Sequence, residues 1–203
     1  MEALIVVDLE NDFMPFGALP VRDGDEAVPV ANALMPRYGL VVATQDWHPP
    51  DHGSFASNHP GMKPGDVGKL RGEPQVMWPD HCVQNTPGAS FHSGLDVEHV
   101  DHVIRKGTDP TIDSYSTFFD NRHLKSTGLE GYLRERGVTD VVLLGLATDY
   151  CVLYSTRDAL QLGFGVSVVT DGCRAVDLTP GDGERALREM VERGATLVTS
   201  GEL

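Results

Sequence analysis

The stretch VVLLGLATDYC at residues 141–151 decides the fold class of this sequence. Its first six residues form a continuous apolar run, which is typical of a strand buried on both faces of a parallel sheet. The run turns polar at Thr148 and Asp149 and leads into a helix-like stretch that stops at Gly163. The pattern therefore predicts a buried strand followed by a helix.

The same alternation recurs outward from this stretch in both directions. Further apolar runs predict strands at 3–7, 40–43, 103–104, 166–169 and 195–198. Start and stop signals predict helices at 23–37, 126–136, 149–162 and 180–193. This alternation predicts an α/β fold with a doubly wound, mostly parallel sheet and helices on both faces. No repeat or linker divides the chain, so we expect a single domain over residues 1–203.

An irregular segment at about residues 45–95 breaks this alternation. It is rich in Pro, Gly, His and Asp and shows no sustained period. A loop-like stretch of this length is usually functional or disordered, and the aromatic residues Trp47 and Trp78 argue against disorder. We expect the segment to carry part of a functional site, and the alternative is a decorated surface insertion.

The amino-acid composition limits the kinds of molecule that the protein is expected to bind. The 203 residues include 30 acidic and 16 basic ones, for a formal charge of −14. Such a surface repels phosphate backbones and anionic lipid, so we expect no binding to nucleic acid or to a membrane. The N-terminal run is interpreted as a strand rather than a signal peptide. Three cysteines are too few for a disulfide scaffold, which favours a reducing, cytoplasmic setting.

Chemically active side chains follow several of the predicted strands. They are an acid, an acid with a histidine, a lysine and a cysteine: Asp8, Asp46 with His48, Lys106 and Cys151. Ligands of open α/β sheets bind beyond the carboxyl ends of the strands. The sequence therefore predicts one site that combines a nucleophile, a base and metal ligands.

Three cysteines compete for the role of nucleophile. Cys151 lies near the start of a predicted helix, where free N–H groups and the helix dipole stabilise a thiolate and lower the pKa of the thiol. Cys173 follows a strand without a helix signal behind it, and Cys82 beside His81 could instead ligate a metal. Any of them could be a small buried hydrophobe. Position favours Cys151.

Asp8 and Lys106 suit acid–base work beside such a thiol. A buried Asp8 could take the thiol proton and later deliver it to a leaving group. A lysine in an apolar pocket needs a counter-charge, which Asp8 would supply. The alternatives are a turn or cap role for Asp8 and a solvated surface cation for Lys106.

Asp46 and His48 form a compact pair of candidate metal ligands. Residues two apart in extended backbone point the same way, so both can face one ion. A carboxylate with an imidazole suits Zn, Fe or Mn. The third ligand must come from the irregular segment, where the candidates are His52, His59 and His81.

Five sequence blocks stand in order along nearly the whole chain. They are Asp8 with NDF at 11–13, TQDWHP at 44–49 with DHGSF at 51–55, WPDHCV at 78–83 with TPGA at 86–89, KG at 106–107, and GLATDYCV at 145–152. Together they resemble the isochorismatase-like cysteine hydrolase superfamily, and within it the nicotinamidases, which are also pyrazinamidases. A match of five blocks is far more specific than any one of them.

The resemblance implies a catalytic triad of Asp8, Lys106 and Cys151, the residues that the strand ends favour independently. It also implies a cis peptide bond between Leu146 and Ala147. The main-chain N–H groups of Ala147 and Cys151 would then form an oxyanion hole.

The resemblance also implies one divalent metal ion, with zinc favoured over iron and manganese. Its ligands would be Asp46, His48 and His81, and some members of the family add a ligand at the position of His52. Cys82 then becomes a neighbour of the metal site.

The implied reaction converts nicotinamide to nicotinate and ammonia through a thioester, as part of NAD salvage, and pyrazinamide should also be accepted. Phe13, Trp78 and Tyr115 would line the substrate pocket. Family members occur as monomers and as assemblies, so a homo-oligomer stays open. The alternatives are another amide or ureido hydrolase of the superfamily, a metal-hydroxide hydrolase, and a binding relative that has lost activity.

Overall fold

A parallel sheet forms the centre of the computed structural model, which describes every residue from 1 to 203. The strands in chain order are β1 (Glu2–Val7), β2 (Val41–Asp46), β3 (Val67–Leu70), β4 (Glu73–Val76), β5 (His102–Lys106), β6 (Asp140–Leu146), β7 (Gly165–Arg174) and β8 (Thr196–Val198). Six of them form the sheet in the order β5-β2-β1-β6-β7-β8. All of its neighbouring pairs are parallel. Each strand predicted from an apolar run is therefore confirmed.

Four α-helices connect the strands of this sheet. They are α1 (Ala27–Leu34), α2 (Leu129–Glu135), α3 (Leu153–Gln161) and α4 (Asp182–Arg193). No helix combines the length and the apolar composition that crossing a membrane would require. The predicted helix at 23–37 is shorter than expected, because its two ends are 3₁₀ turns at Gly24–Glu26 and Met35–Arg37.

The direction in which the chain adds strands to the sheet reverses between β1 and β6. The connection from β1 through α1 to β2 runs one way across the sheet, and those from β6 onward run the other way. Since parallel crossovers are right-handed, α1 lies on one face and α2, α3 and α4 lie on the other. The doubly wound arrangement is confirmed. It opens a crevice beyond the carboxyl ends of β1 and β6, where ligands of such folds bind.

The chain passes from β6 to α3 through a π-helical turn at Thr148–Val152. The sequence predicts a helix from 149, so the helix signal is correct and its first turn is wider than an α-helix. Just before the turn, Gly145 has a φ of +123°, and a Cβ there would lie 2.1 Å from the Val7 carbonyl oxygen. Only glycine allows β1 and β6 to approach this closely.

The core is one hydrophobic cluster of 44 buried residues that spans the sheet and its helices. In β1 the five residues after Glu2 are fully buried, as expected for a strand covered on both faces. Burial of this apolar area is the main stabilising contribution to folding. A single domain over residues 1–203 stays a prediction, which the single core supports.

The irregular segment contains a hairpin that the sequence did not predict. β3 and β4 pair antiparallel around Arg71 and Gly72, whose φ angles of +49° and +86° are those of a type I′ turn. Isolated bridges fasten the rest of the segment, and they join Phe55 to Trp78 and His48 to Val83. The segment is therefore ordered by short contacts rather than by long elements.

Candidate active site

Three side chains predicted from the strand ends meet beyond the sheet, and we call Asp8, Lys106 and Cys151 the thiol cluster. The Lys106 Nζ lies 2.9 Å from the Asp8 Oδ2 and 3.3 Å from the Cys151 Sγ. All three side chains are buried. The ammonium therefore joins the carboxylate to the thiol.

Asp8 is held by its neighbour strand as well as by Lys106. It follows β1 with a φ of +50°, a left-handed conformation that Asp tolerates better than most residues. The Thr44 hydroxyl donates a hydrogen bond of 2.6 Å to the Asp8 Oδ1, and the Asp8 N–H donates to the same hydroxyl. Burial raises the pKa of Asp8, and the Lys106 charge opposes that rise. A carboxyl with a raised pKa is a better proton acceptor.

Lys106 ends β5 and points into the site rather than to solvent. Its ammonium contacts the carboxylates of Asp8 and Asp46 and the Ser114 carbonyl oxygen. Burial alone would lower the pKa of Lys106, but Asp46 and Asp8 outweigh it and raise the pKa well above its ordinary value. The side chain is therefore a fixed positive charge, and the surface alternative is wrong.

The expected lowering of the Cys151 pKa by the helix N-terminus does not occur in this structure. Burial raises the pKa of the thiol well above its ordinary value, and the Lys106 charge only partly opposes this. The cause is burial, since the side chain is 5% exposed. The thiol must therefore give up its proton to a neighbour, and a carboxylate oxygen of Asp8 lies within 4.8 Å of the Sγ.

Three candidate metal ligands come together beside the thiol cluster, and we call Asp46, His48 and His81 the cation cluster. Their ligand atoms lie within 4.8 Å of one another and are buried. The Asp46 Oδ2 is 3.5 Å from the His48 Nε2 and 3.7 Å from the His81 Nε2. The pair predicted at the end of β2 and one of the three candidate histidines are thus adjacent.

Both imidazoles of the cation cluster are oriented by main-chain carbonyls. The Nδ1 of His48 lies 2.9 Å from the Gly107 carbonyl oxygen, and that of His81 lies 2.7 Å from the Pro79 carbonyl oxygen. With each Nδ1 at hydrogen-bonding distance from a carbonyl oxygen, the Nε2 is the ring nitrogen that faces Asp46 in both residues. A buried carboxylate with two such imidazoles fits a divalent transition-metal ion.

His52 packs against His48, with ring centroids 4.3 Å apart, but it is not one of the three clustered ligands. The ligand atom of His52 groups with those of His48 and Asp113 rather than with Asp46 and His81. Its Nδ1 bonds the Ser54 hydroxyl at 2.7 Å, while its buried Nε2 has no partner in the protein. The Nε2 of His59 is hydrogen-bonded to the Gly53 carbonyl oxygen at 2.8 Å, so this nitrogen is not directed at the cation cluster.

Of the aromatic residues predicted to line a pocket, Phe13 lies beside the cation cluster, and Trp78 and Tyr115 pack against each other. The Phe13 ring centroid is 5.6 Å from that of His81. The Trp78 indole N–H donates a hydrogen bond of 3.1 Å to the Tyr115 hydroxyl. Tyr150, which the sequence did not single out, packs edge-on against Trp78 at 4.9 Å. A flat aromatic ligand would find apolar walls here.

The other expected features can be located in the structure. The peptide bond between Leu146 and Ala147 is cis. Cys82 and Cys173 are buried in the core, and the Cys82 side chain is absent from the cation cluster.

Two buried residues of the site were missed from the sequence. Thr44, within β2, holds Asp8. Glu10 is fully buried, and burial raises its pKa well above the ordinary value, with Asp8 and Asp46 adding to the rise. Thr44 lies two residues before Asp46 in β2, which puts both side chains on the same face of the strand. No comparable signal marks Glu10, because the left-handed φ of Asp8 interrupts the extended backbone before it.

Residues 2–202 match the isochorismatase domain, and the chain belongs to this family. It is 50% identical over 201 residues to the protein of Escherichia coli K12 described as nicotinamidase, with 97% of this chain and 94% of that protein covered. The resemblance found in the five sequence blocks is therefore confirmed.

Solved structures agree with this assignment. A nicotinamidase and pyrazinamidase of Acinetobacter baumannii superposes with a TM-score of 0.96 at 44% identity, over 99% of this chain and 97% of that one. A pyrazinamidase of Pyrococcus horikoshii, solved in complex with zinc, has a TM-score of 0.79 at 41% identity over 98% of each chain.

Proposed function

We propose that this chain hydrolyses nicotinamide to nicotinate and ammonia with Cys151 as the nucleophile. The observation that carries the proposal is the ammonium of Lys106, which joins the Asp8 carboxylate to the Cys151 thiol beside the cation cluster. The relatives described as nicotinamidases support the choice of substrate. One of them is also described as a pyrazinamidase, so pyrazinamide is a second substrate.

In the proposed reaction, Asp8 takes the Cys151 proton and the thiolate attacks the carboxamide carbon. The Ala147 and Cys151 N–H groups stabilise the oxyanion. Asp8 returns the proton to the nitrogen as the C–N bond breaks, and ammonia leaves a thioester on Cys151. Asp8 then takes a proton from water, whose oxygen attacks the thioester carbon. Nicotinate is released as the C–S bond breaks, and the thiol regains its proton.

Lys106 supplies a fixed charge throughout this cycle. Its ammonium stabilises the thiolate at 3.3 Å and orients the Asp8 carboxylate at 2.9 Å. Because the pKa of Lys106 is raised, it keeps its proton while Asp8 exchanges one. The carboxylate is therefore the only member of the pair that moves a proton.

A divalent cation would be held by Asp46, His48 and His81, and the zinc in the Pyrococcus horikoshii structure supports zinc as that cation. When bound, the cation supplies a Lewis-acidic anchor for the aromatic ring nitrogen, so its contribution is positioning. His52, with its free Nε2, is a candidate further ligand. Phe13, Trp78 and Tyr115 would contact the ring.

The test is release of ammonia and nicotinate by purified, metal-replete protein supplied with nicotinamide. We expect stoichiometric release, and we expect Cys151→Ala to abolish it while the metal content stays that of wild type. Cys173→Ala, at another buried cysteine, is the matched control and should retain turnover. In an acid-quenched reaction, intact mass should show an acyl group on the wild-type chain alone.

Other outcomes point to the alternative functions. Full turnover by Cys151→Ala would favour a metal-hydroxide hydrolase. No release by metal-loaded wild-type protein would contradict the nicotinamide proposal. Release of ammonia from N-carbamoyl or ureido compounds would then indicate another hydrolase of the family, and no release from any of them would indicate an inactive binding relative.

A further inference from the structure

Glu10 is a buried carboxyl that neither the proposed reaction nor the cation cluster uses. Its side chain is 0% exposed. Its Oε2 accepts a hydrogen bond of 2.8 Å from the main-chain N–H of Asp46. Its Oε1 has no hydrogen-bond partner in the protein. Unpartnered buried polar atoms are uncommon in folded proteins, so this one calls for a physical reason.

The surroundings of Glu10 are rich in buried carboxyl groups. Burial raises the pKa of Glu10 well above its ordinary value, and the nearby carboxyls of Asp8 and Asp46 add to the rise. The Lys106 ammonium contacts Asp8 and Asp46, and no contact joins it to Glu10. Burial disfavours the charged form of a carboxyl unless a positive charge compensates it, and a divalent cation at the cation cluster would supply that compensation.

Glu10 contacts one of the two segments that carry the cation cluster, and its charge acts on the other. The hydrogen bond described above reaches the main chain of Asp46 at the end of β2. The second segment carries Cys82, the residue after His81. Burial raises the pKa of the Cys82 thiol well above its ordinary value, and the Glu10 carboxyl adds to that rise. A single side chain is therefore placed to act on two ligand-bearing segments.

We propose that Glu10 is a positioning residue of the cation cluster, whose hydrogen bond orients Asp46 and whose negative charge strengthens the binding of the divalent cation. The inference rests on the cation site proposed above. Glu10→Gln keeps an oxygen for the Asp46 N–H but removes the charge. If Glu10 only fills space and accepts a hydrogen bond, the two side chains are equivalent.

The experiment measures cation affinity rather than turnover. Full-length protein stripped of metal by a chelator is titrated with Co²⁺, whose visible absorption reports the ligand set, and Zn²⁺ affinity is measured by competition with a chromophoric chelator. We expect Glu10→Gln to bind both ions at least tenfold more weakly, within the ~10–100-fold range for lost outer partners of metal ligands. Glu192→Gln removes an exposed carboxyl on α4 and should leave both affinities unchanged.

A second variant separates the charge from the hydrogen bond. Glu10→Asp keeps the charge but is one methylene too short for the Asp46 N–H, so we expect an altered Co²⁺ spectrum with an affinity between those of wild type and Glu10→Gln. Wild-type affinity in Glu10→Gln would overturn the proposal. If that variant fails to fold by circular dichroism, a wild-type spectrum and affinity in Glu10→Asp would overturn it instead.

The cation site and the proposed reaction are checked separately. Wild-type protein that binds neither ion would overturn the cation site and this inference together. Nicotinamide turnover is recorded in parallel. Wild-type protein that binds the ions without turnover would contradict the proposed substrate. The measured cation affinities of the variants would still decide the role of Glu10.

Discussion

The thiol cluster and the cation cluster meet at the Lys106 ammonium, yet the chain builds them in different ways. The thiol cluster comes from the ends of β1, β5 and β6, and the paired strands set its spacing. The cation cluster takes Asp46 from the end of β2, but His81 comes from the irregular segment, which isolated bridges hold in place. The first cluster is therefore a consequence of the sheet, and the second also needs a long loop to fold correctly.

The comparison suggests that the thiol cluster and the cation cluster have separate roles in catalysis and in cation binding, and this can be tested. Groups on strand ends are held rigidly, which suits proton transfer and nucleophilic attack. Groups on a loop can adapt to a bound ion and a substrate ring. If the roles are separate, changes in the thiol cluster alter turnover without altering cation binding, and changes in the irregular segment alter cation binding first.

The largest effect is expected from Asp8→Asn in the thiol cluster. The amide cannot accept the Cys151 proton, so kcat for nicotinamide should fall by about 10³-fold, within the range for loss of a general base. Cation content, measured by atomic emission on the same sample, should stay at the wild-type level. Loss of the cation together with turnover would show that the two clusters are not separable.

The next effect is expected from His81→Ala in the irregular segment. Removing one of three ligands should weaken Zn²⁺ binding by more than the ~10–100-fold that loss of an outer partner costs. KM for nicotinamide should rise at low Zn²⁺ and recover in part at high Zn²⁺, because the thiol cluster is intact. His99→Ala, at an exposed histidine paired with Asp96, is the control. Unchanged Zn²⁺ affinity in His81→Ala would remove His81 from the cation cluster.

A smaller effect is expected from Thr44→Val, which is nearly isosteric. It removes the hydrogen bond of 2.6 Å to the Asp8 Oδ1. A hydrogen bond to a charged group contributes about 1.5–3 kcal/mol, so we expect kcat to fall about tenfold or more, with KM unchanged. Thr44→Ser keeps the hydroxyl and should restore most of the rate. Equal rates in the Val and Ser variants would show that Asp8 does not depend on this contact.

The two clusters also differ in how far the sequence predicts them. Apolar runs identify the strands, and in a parallel sheet their ends must meet, so Asp8, Lys106 and Cys151 were predicted together. The choice among His52, His59 and His81 was not possible from spacing, because the path of an irregular segment depends on contacts made after folding. The family resemblance, rather than periodicity, made that choice.

Properties that depend on burial were also out of reach of the sequence. The helix N-terminus predicted a lowered Cys151 pKa, but the pKa is raised because the thiol is buried. The β3–β4 hairpin was missed because its strands carry few β-branched residues and include Pro74. Glu10 could not be recognised as a buried acid, since an acid after a strand is usually a turn residue.

The smallest effect is expected in the β3–β4 hairpin of the irregular segment. Gly72→Ala places a Cβ at a φ of +86°, where no other atom is within 4 Å, so the cost is conformational and not steric. We expect the free energy of unfolding in urea to fall by about 1 kcal/mol. Gly39 also has open space around its Cβ position but no positive φ, so Gly39→Ala should be neutral or slightly stabilising.

Zn²⁺ affinity should stay at the wild-type level in both variants, because the bridges of Phe55 and His48, not the turn of the hairpin, hold the ligand-bearing part of the segment. A loss of Zn²⁺ affinity in Gly72→Ala alone would mean that the hairpin helps to position the cation cluster, and the segment would then act as one unit.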